Sequence, residues 1–131
     1  MTTDIIIPLG LRGKMELTVE PEQTATHYGS GLVEVFATPA MVAFMENTAL
    51  CSLNDILPSH LTTVGASINI RHLKATPIGR KLRCESRVIE VNGRKIVFDV
   101  SVWEGEMLAG HGTHVRYIVD IQQFMSQFQN S

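Results

Sequence analysis

The feature that most limits how this chain can fold is the stretch from Val35 to Ile56, "VFATPAMVAFMENTALCSLNDI". It reads as one long helix, apolar on most of its faces. Thr38 is a good N-cap and Pro39 suits the first helical position, while Asn54, Asp55 and Pro58 mark the end. Such a helix cannot rest on a surface with one stripe buried. Either a sheet curls around it, or a partner covers what the sheet leaves bare. One residue breaks the apolar pattern: Glu46 lies mid-helix, with Val42, Ala43, Ala49 and Leu50 three and four residues away.

The rest of the chain supplies the sheet. "KMELTV" (Lys14–Val19) alternates apolar and polar residues and predicts a short strand. "EPEQTATHYGSG" has no clear period and predicts a loop or a short helical turn. After the helix, "TVGASINIRHLKAT" puts Ala66, Ile68, Ile70 and His72 on one face, and Ser67, Asn69, Arg71 and Leu73 on the other. "KLRCESRVIEV" and "RKIVFDVSVWE" flank Asn92-Gly93, a strong hairpin signal. A second hairpin is expected around Glu104 to Glu106. The last strand holds Gly110 and Gly112, which permit bulges or close backbone approach. "DIQQFMSQFQN" closes the chain as a short amphipathic helix capped by Asp120. The expected architecture is α+β, with one antiparallel sheet around a long helix. The 131 residues suit one domain over 1–131 with one core.

Composition excludes several classes. With 44% hydrophobic and 18% charged residues, the chain reads as globular. A net charge of −2 gives no general affinity for nucleic acid or anionic membranes. No apolar run approaches the roughly 18 residues that span a bilayer, and the N-terminus lacks a signal-type pattern. Cys51 and Cys84 have no CxxC spacing and read as free thiols of a reducing cytoplasm. His111 and His114 lack the carboxylate or thiol spacing of a metal site. No metal and no cofactor is expected.

Three residues carry candidate chemistry. A carboxylate desolvated on an apolar helix is pushed toward general-base range, although Glu46 also fits a residue facing solvent or a polar partner. The Thr38 hydroxyl can hold a water or a carboxylate, although its role as a cap accounts for it alone. His72 is in phase with the core-facing side of its strand and needs a partner. Glu46 on the packed helix is one candidate, and a satisfied core histidine is the plainer alternative. A carboxylate and an imidazole together are the usual parts for activating water. Thr38 and Glu46 are eight residues apart on one helix, a rise of roughly 12 Å, whereas a hydrogen bond spans about 3 Å. They share a site only if two subunits contribute to it, or if a substrate bridges them.

Three segments, "VFATPAMVAFMENTA", "VGASINIRHLKATPIG" and "GHGTHVRYIV", resemble the fluoroacetyl-CoA thioesterase-like branch of the hotdog-fold thioesterases. The resemblance runs from about Val19 to Phe124, and the first two segments are specific as a pair. It implies a hotdog fold, with a curved antiparallel sheet of about five strands around the helix. It implies Thr38, Glu46 and His72 as the catalytic set, and Gly65 as a backbone contact to substrate. It also implies a homodimer with sites at the interface, with dimers pairing into tetramers left open.

The implied activity is hydrolysis of a small acyl-CoA thioester. For this substrate, Gly65 offers close backbone approach to the oxyanion. Phe36, with Tyr28, Met41, Met45 and Trp103, would shape the acyl pocket. Arg71, Lys74 and Arg80, with Lys81 and Arg83, would form a basic rim for the phosphates of coenzyme A, or an ordinary solvated face. Members specialised for fluoroacetyl-CoA carry phenylalanines shortly before the threonine. This chain has Tyr28, Gly29, Gly31 and Leu32 there, which implies a different pocket cover. The rival readings are a hotdog dehydratase, for which the helix lacks a histidine-rich motif, and a non-catalytic acyl-CoA-binding module.

Overall fold

The computed structural model describes residues 5–129. Five antiparallel strands, β1 (Arg12–Thr18), β2 (Leu61–His72), β3 (Lys81–Asn92), β4 (Lys95–Glu104) and β5 (Met107–Asp120), form one curved sheet in the order β1-β3-β4-β5-β2. A 3-10 turn (Pro21–Gln23) and a one-turn helix α1 (Ala25–Tyr28) follow β1. The long helix α2 (Thr38–Cys51) packs on β1, β2, β3 and β4, and reaches β5 through Met41 against Gly110. A short helix α3 (Ile121–Ser126) ends the chain, and the Asp120 carboxylate caps it by accepting from the Gln123 amide at 3.0 Å. Among the described residues, no helix is long and apolar enough to cross a membrane.

Alternation builds the sheet. Ile96, Phe98, Val100 and Val102 of β4 are fully buried, and the residues between them are only partly covered. These side chains meet Met41, Phe44, Met45 and Ala49 of α2 in one core. Removing Phe98 from this core by substitution with alanine would cost about 3–5 kcal/mol. Met41 and Met45 are fully buried in this core. Trp103 lies on the sheet, donating its indole N–H to the Ser101 hydroxyl beneath the Arg83 guanidinium, and it lines no acyl pocket beside Thr38.

Three local details depart from the sequence reading. Ala37, not Thr38, is the N-cap, so Thr38 is the first helical residue and its hydroxyl is free of capping duty. The β3–β4 turn is Gly93-Arg94, closed by the Asn92–Lys95 pair, one residue beyond the expected position. Gly93 takes the positive φ of +62° there, which keeps Asn92 in the ladder. The third departure is a bulge in β2 between Gly65 and Ser67. It inserts one residue and reverses the alternation. Gly65, Ile68, Ile70 and His72 oppose Arg116, His114, Gly112 and Gly110 of β5 in turn, so they form the helix-facing row. Ala66 is the extra residue and does not belong to that row.

Candidate active site

The helix-facing row of β2 and the side of α2 above it bring the candidate residues into two groups. At the first, Thr38 Oγ1 lies 2.8 Å from His72 Nδ1. The start of α2 and the end of β2 meet here, and because Ala37 takes the cap position, the hydroxyl can face the imidazole. His72 Nε2 is buried and has no hydrogen-bond partner among the described residues. Burial pushes the imidazole below its ordinary value of 6.5, with a smaller opposing effect of the Lys74 backbone. A neutral His72 beside a hydroxyl can take up or pass on a proton through Nε2.

The second group surrounds Glu46. A Cβ at position 65 would stand 2.7 Å from Glu46 Oε2, 3.4 Å from Arg116 Nη1 and 3.4 Å from His114 Cε1. The bare backbone of Gly65 is therefore what admits the carboxylate over β2. Glu46 Oε2 also lies 4.0 Å from Arg116 Nη1, and its side chain keeps 42% exposure in the single chain. The expected desolvation of Glu46 is not met there, because a guanidinium and open solvent face it instead of apolar groups.

Arg116 is buried, and its fork is almost fully engaged. Nε donates to Thr63 Oγ1 at 2.7 Å, Nη2 to the Thr63 carbonyl at 2.9 Å, and Nη1 to His114 Nε2 at 3.0 Å. Burial holds its affinity for the proton below the usual arginine range, with the Glu46 charge opposing, and it stays a cation at neutral pH. Arg116 and His114 were not singled out as site residues from sequence. The available signal is their phase: both fall in the same alternating row as Gly110 and Gly112. A charged residue at an inward strand position is uncommon without a partner.

The two groups do not meet within one chain. Gly65 and His72 are seven residues apart on β2, or roughly 20 Å along an extended strand. Beside Thr38 and His72 lies a cavity of about 500 Å³, lined among others by Ser30, Val35, Phe36, Leu73 and Lys74. Phe36 is buried at its base, edge-on to Phe44 at 6.5 Å. Of the basic residues, Lys74 and Arg80 both bind Glu104, the latter at 2.8 Å. Lys74 first and Arg80 second hold the Glu104 carboxyl below the usual carboxylate range. Arg71 is exposed on the opposite face of β2, paired in register with His111. The loop before α2 leaves Leu32 98% and Val33 61% exposed.

This arrangement of sheet, helix and polar residues has known counterparts. The family model for the fluoroacetyl-CoA-specific thioesterase FlK matches residues 19–122. Fluoroacetyl-CoA thioesterase from Streptantibioticus cattleyicolor is 29% identical over 122 residues, which cover 88% of each chain. A solved structure of the fluoroacetyl-CoA thioesterase FlK superposes with a TM-score of 0.88 at 27% identity, covering 95% of this chain and 97% of that one. A hot-dog-like protein from Thermanaerovibrio acidaminovorans shares the fold, with a TM-score of 0.85 at 21% identity over 94% of this chain and 91% of its own. With most of its length matched by the family model and its five-stranded sheet wrapped on α2, the chain belongs to the fluoroacetyl-CoA-specific thioesterase family and is a thioesterase of the hotdog fold.

Proposed function

We propose that this chain hydrolyses the thioester of a small acyl-CoA at a site shared by two copies, with Thr38 and His72 from one and Glu46 and Gly65 from the other. The observation that carries this reading is the separation of the two groups along β2, one of the two edge strands of the sheet. Gly65, Ala66, Ser67, Asn69 and Arg71 are exposed along β2, and Ile68 and Ile70 are only partly buried beside it. An edge strand of 12 residues is a template for another strand. Antiparallel pairing of two β2 strands about a two-fold axis near Ile68 would bring Gly65 of one copy opposite His72 of the other. The buried Nε2 of His72 would then gain a neighbour.

In this reading Glu46 acts on the thioester carbonyl, as base for an attacking water or as the attacking group. The bare backbone at Gly65 lets the carbonyl approach, the neutral His72 takes up the proton that the attacking water gives up and passes it to the leaving thiolate, and Thr38 holds the imidazole in place. The cavity beside Phe36 and Lys74 takes the arm of the thioester, and Lys74 and Arg80 stand at its coenzyme A end. Acyl-CoA chemistry is supported by the matched relative, which acts on fluoroacetyl-CoA.

Subunit mixing tests the sharing. Thr38→Ala and Glu46→Gln are each expected to be inactive as pure proteins. After unfolding and refolding together they regain roughly a quarter of wild-type turnover, because half of the dimers are mixed and each holds one intact site. Sites built within one chain regain nothing, and that result would sink the reading.

A further inference from the structure

The Glu46 group contains a residue whose state is fixed by its partners. His114 is buried, with 1% exposure, and its ring lies over Phe98 with centroids 6.2 Å apart and planes 30° from parallel. Its Nδ1 lies 2.8 Å from the Ser67 carbonyl oxygen. A carbonyl only accepts, so Nδ1 carries the proton. Its Nε2 lies 3.0 Å from Arg116 Nη1. A guanidinium only donates, so Nε2 carries a lone pair. His114 is therefore neutral and in one tautomer.

Each of these bonds bears on Glu46. The bond to Arg116 completes the set that aims the guanidinium: two bonds to Thr63 fix one side of the fork, and His114 fixes Nη1, the nitrogen nearest Glu46. The bond to Ser67 holds the backbone just after the bulge, and that bulge turns Gly65 beneath the carboxylate. The groups packed around His114 are Arg116 on its own strand, Glu46 of α2, Phe98 of β4, and the Ser67 carbonyl and Gly65 of β2. A proton on Nε2 would set donor against donor and charge against charge at Arg116. Burial first, and the Arg116 charge as a lesser cause, hold His114 below its ordinary value of 6.5, against the pull of the Ser67 carbonyl and Glu46.

We propose that His114 is a positioning residue for the Glu46 carboxylate, acting through the Arg116 guanidinium and through the bulge at Ala66. The role rests on the reading of Glu46 as the group that acts on the thioester. In the wild-type protein, heteronuclear NMR of the imidazole at neutral pH is expected to find His114 protonated on Nδ1 and bare on Nε2. A proton on Nε2 overturns the proposal, whether or not any variant folds.

His114→Phe keeps the stacking on Phe98 and removes both hydrogen bonds. It is expected to lower kcat by at least about tenfold, with KM within about twofold, as a misplaced catalytic group does. The Glu46 carboxyl resonance, read at one fixed pH, moves in the same variant. His114→Gln places an acceptor near the position of Nε2 and is expected to recover most of the loss. A folded His114→Phe with unchanged kcat and an unmoved Glu46 resonance overturns the proposal, as does His114→Gln performing no better than His114→Phe. If Glu46→Gln hydrolyses normally, the catalytic reading fails by itself, while the Glu46 resonance still decides whether His114 positions the carboxylate.

Discussion

The two ends of β2 hold two kinds of polar group. At the His72 end, an exposed threonine meets an imidazole with one ring nitrogen engaged and the other without a partner among the described residues. At the Gly65 end, a buried arginine and histidine have nearly every polar atom bound, and only the Glu46 carboxylate above them keeps exposure. The first arrangement leaves one ring nitrogen without a partner among the described residues, where a proton can be taken up. The second holds charge in a fixed place, as a preorganised site does. A single chain thus separates the imidazole of His72 from the charges of Glu46 and Arg116, and an edge strand lies between them.

The largest expected effect tests the fixed-charge end. Glu46→Gln keeps the shape and removes the charge that faces Arg116. Hydrolysis of acetyl-CoA or another short acyl-CoA, followed by release of free thiol, is expected to fall about 10²–10⁴-fold. Thermal unfolding should move little, since the side chain is 42% exposed in the single chain. A loss below tenfold would mean that the two ends differ in structure but not in chemical role.

Gly65→Ala sharpens the same comparison. The added methyl would meet the end of the Glu46 side chain at 2.7 Å. The carboxylate can swing aside, so the fold survives while the carboxylate loses its place. The expected loss in kcat is about 10–100-fold, with an unfolding midpoint close to wild type. Gly112→Ala is the contrast, because a Cβ there meets the backbone and side chain of Ile70 across the ladder, which cannot yield so cheaply. It should cost stability first. If Gly65→Ala unfolds the protein as Gly112→Ala does, Gly65 serves packing and not the carboxylate.

How much of this was legible beforehand follows from the kind of signal each element carries. The helix, the hairpins and the Asp120 cap rest on periodicity and turn chemistry, which are local, and they stand close to where they were expected. The grouping of Gly65 with Glu46 rests on a bulge, and counting by alternate residues fails at any bulge because one residue shifts every later side chain to the other face. Ala66 was assigned to the helix-facing row for that reason. His114 is bound by Ser67, 47 residues earlier, and Arg116 by Thr63, 53 residues earlier. Contacts that distant leave no periodic trace. The place of Thr38 was misjudged for the opposite reason: a threonine before proline at a helix start looks like a cap, and the cap fell one residue earlier on Ala37.

The His72 end is tested by pH. Burial lowers His72 from its ordinary value of 6.5, so the folded protein keeps the imidazole neutral at pH values where an exposed one is half protonated. The acid limb of kcat/KM, which reports the free enzyme, is therefore expected with its midpoint below 6.5 and a slope of about tenfold per pH unit. Folding stability follows the same sign. A histidine with a depressed folded-state value binds its proton more weakly folded than unfolded. The stability is thus complete above the unfolded value and is lost as pH falls from there through the folded value. His114 adds in the same direction. An acid limb centred at or above 6.5 would contradict a buried, neutral His72.

The smallest expected effect lies at the rim of the cavity. Lys74 and Arg80 are held by Glu104, so a phosphate approaching them competes with a carboxylate already in place. That competition limits what either residue can add to affinity. A phosphate must share Lys74 with Glu104, which leaves it about the 0–1 kcal/mol of a weak ion pair, so Lys74→Ala should raise KM for an acyl-CoA only about threefold and leave kcat unchanged. The same variant should not alter KM for the matching acyl-pantetheine, which has no nucleotide phosphates. Arg71→Ala, on the far face of β2, should do neither. Equal changes for the two substrates in Lys74→Ala would mean that Lys74 acts only as wall of the cavity beside Thr38, with no part in holding the phosphates. A larger change in Arg71→Ala than in Lys74→Ala would move the coenzyme A path to the outer face of the sheet and away from both ends of the site.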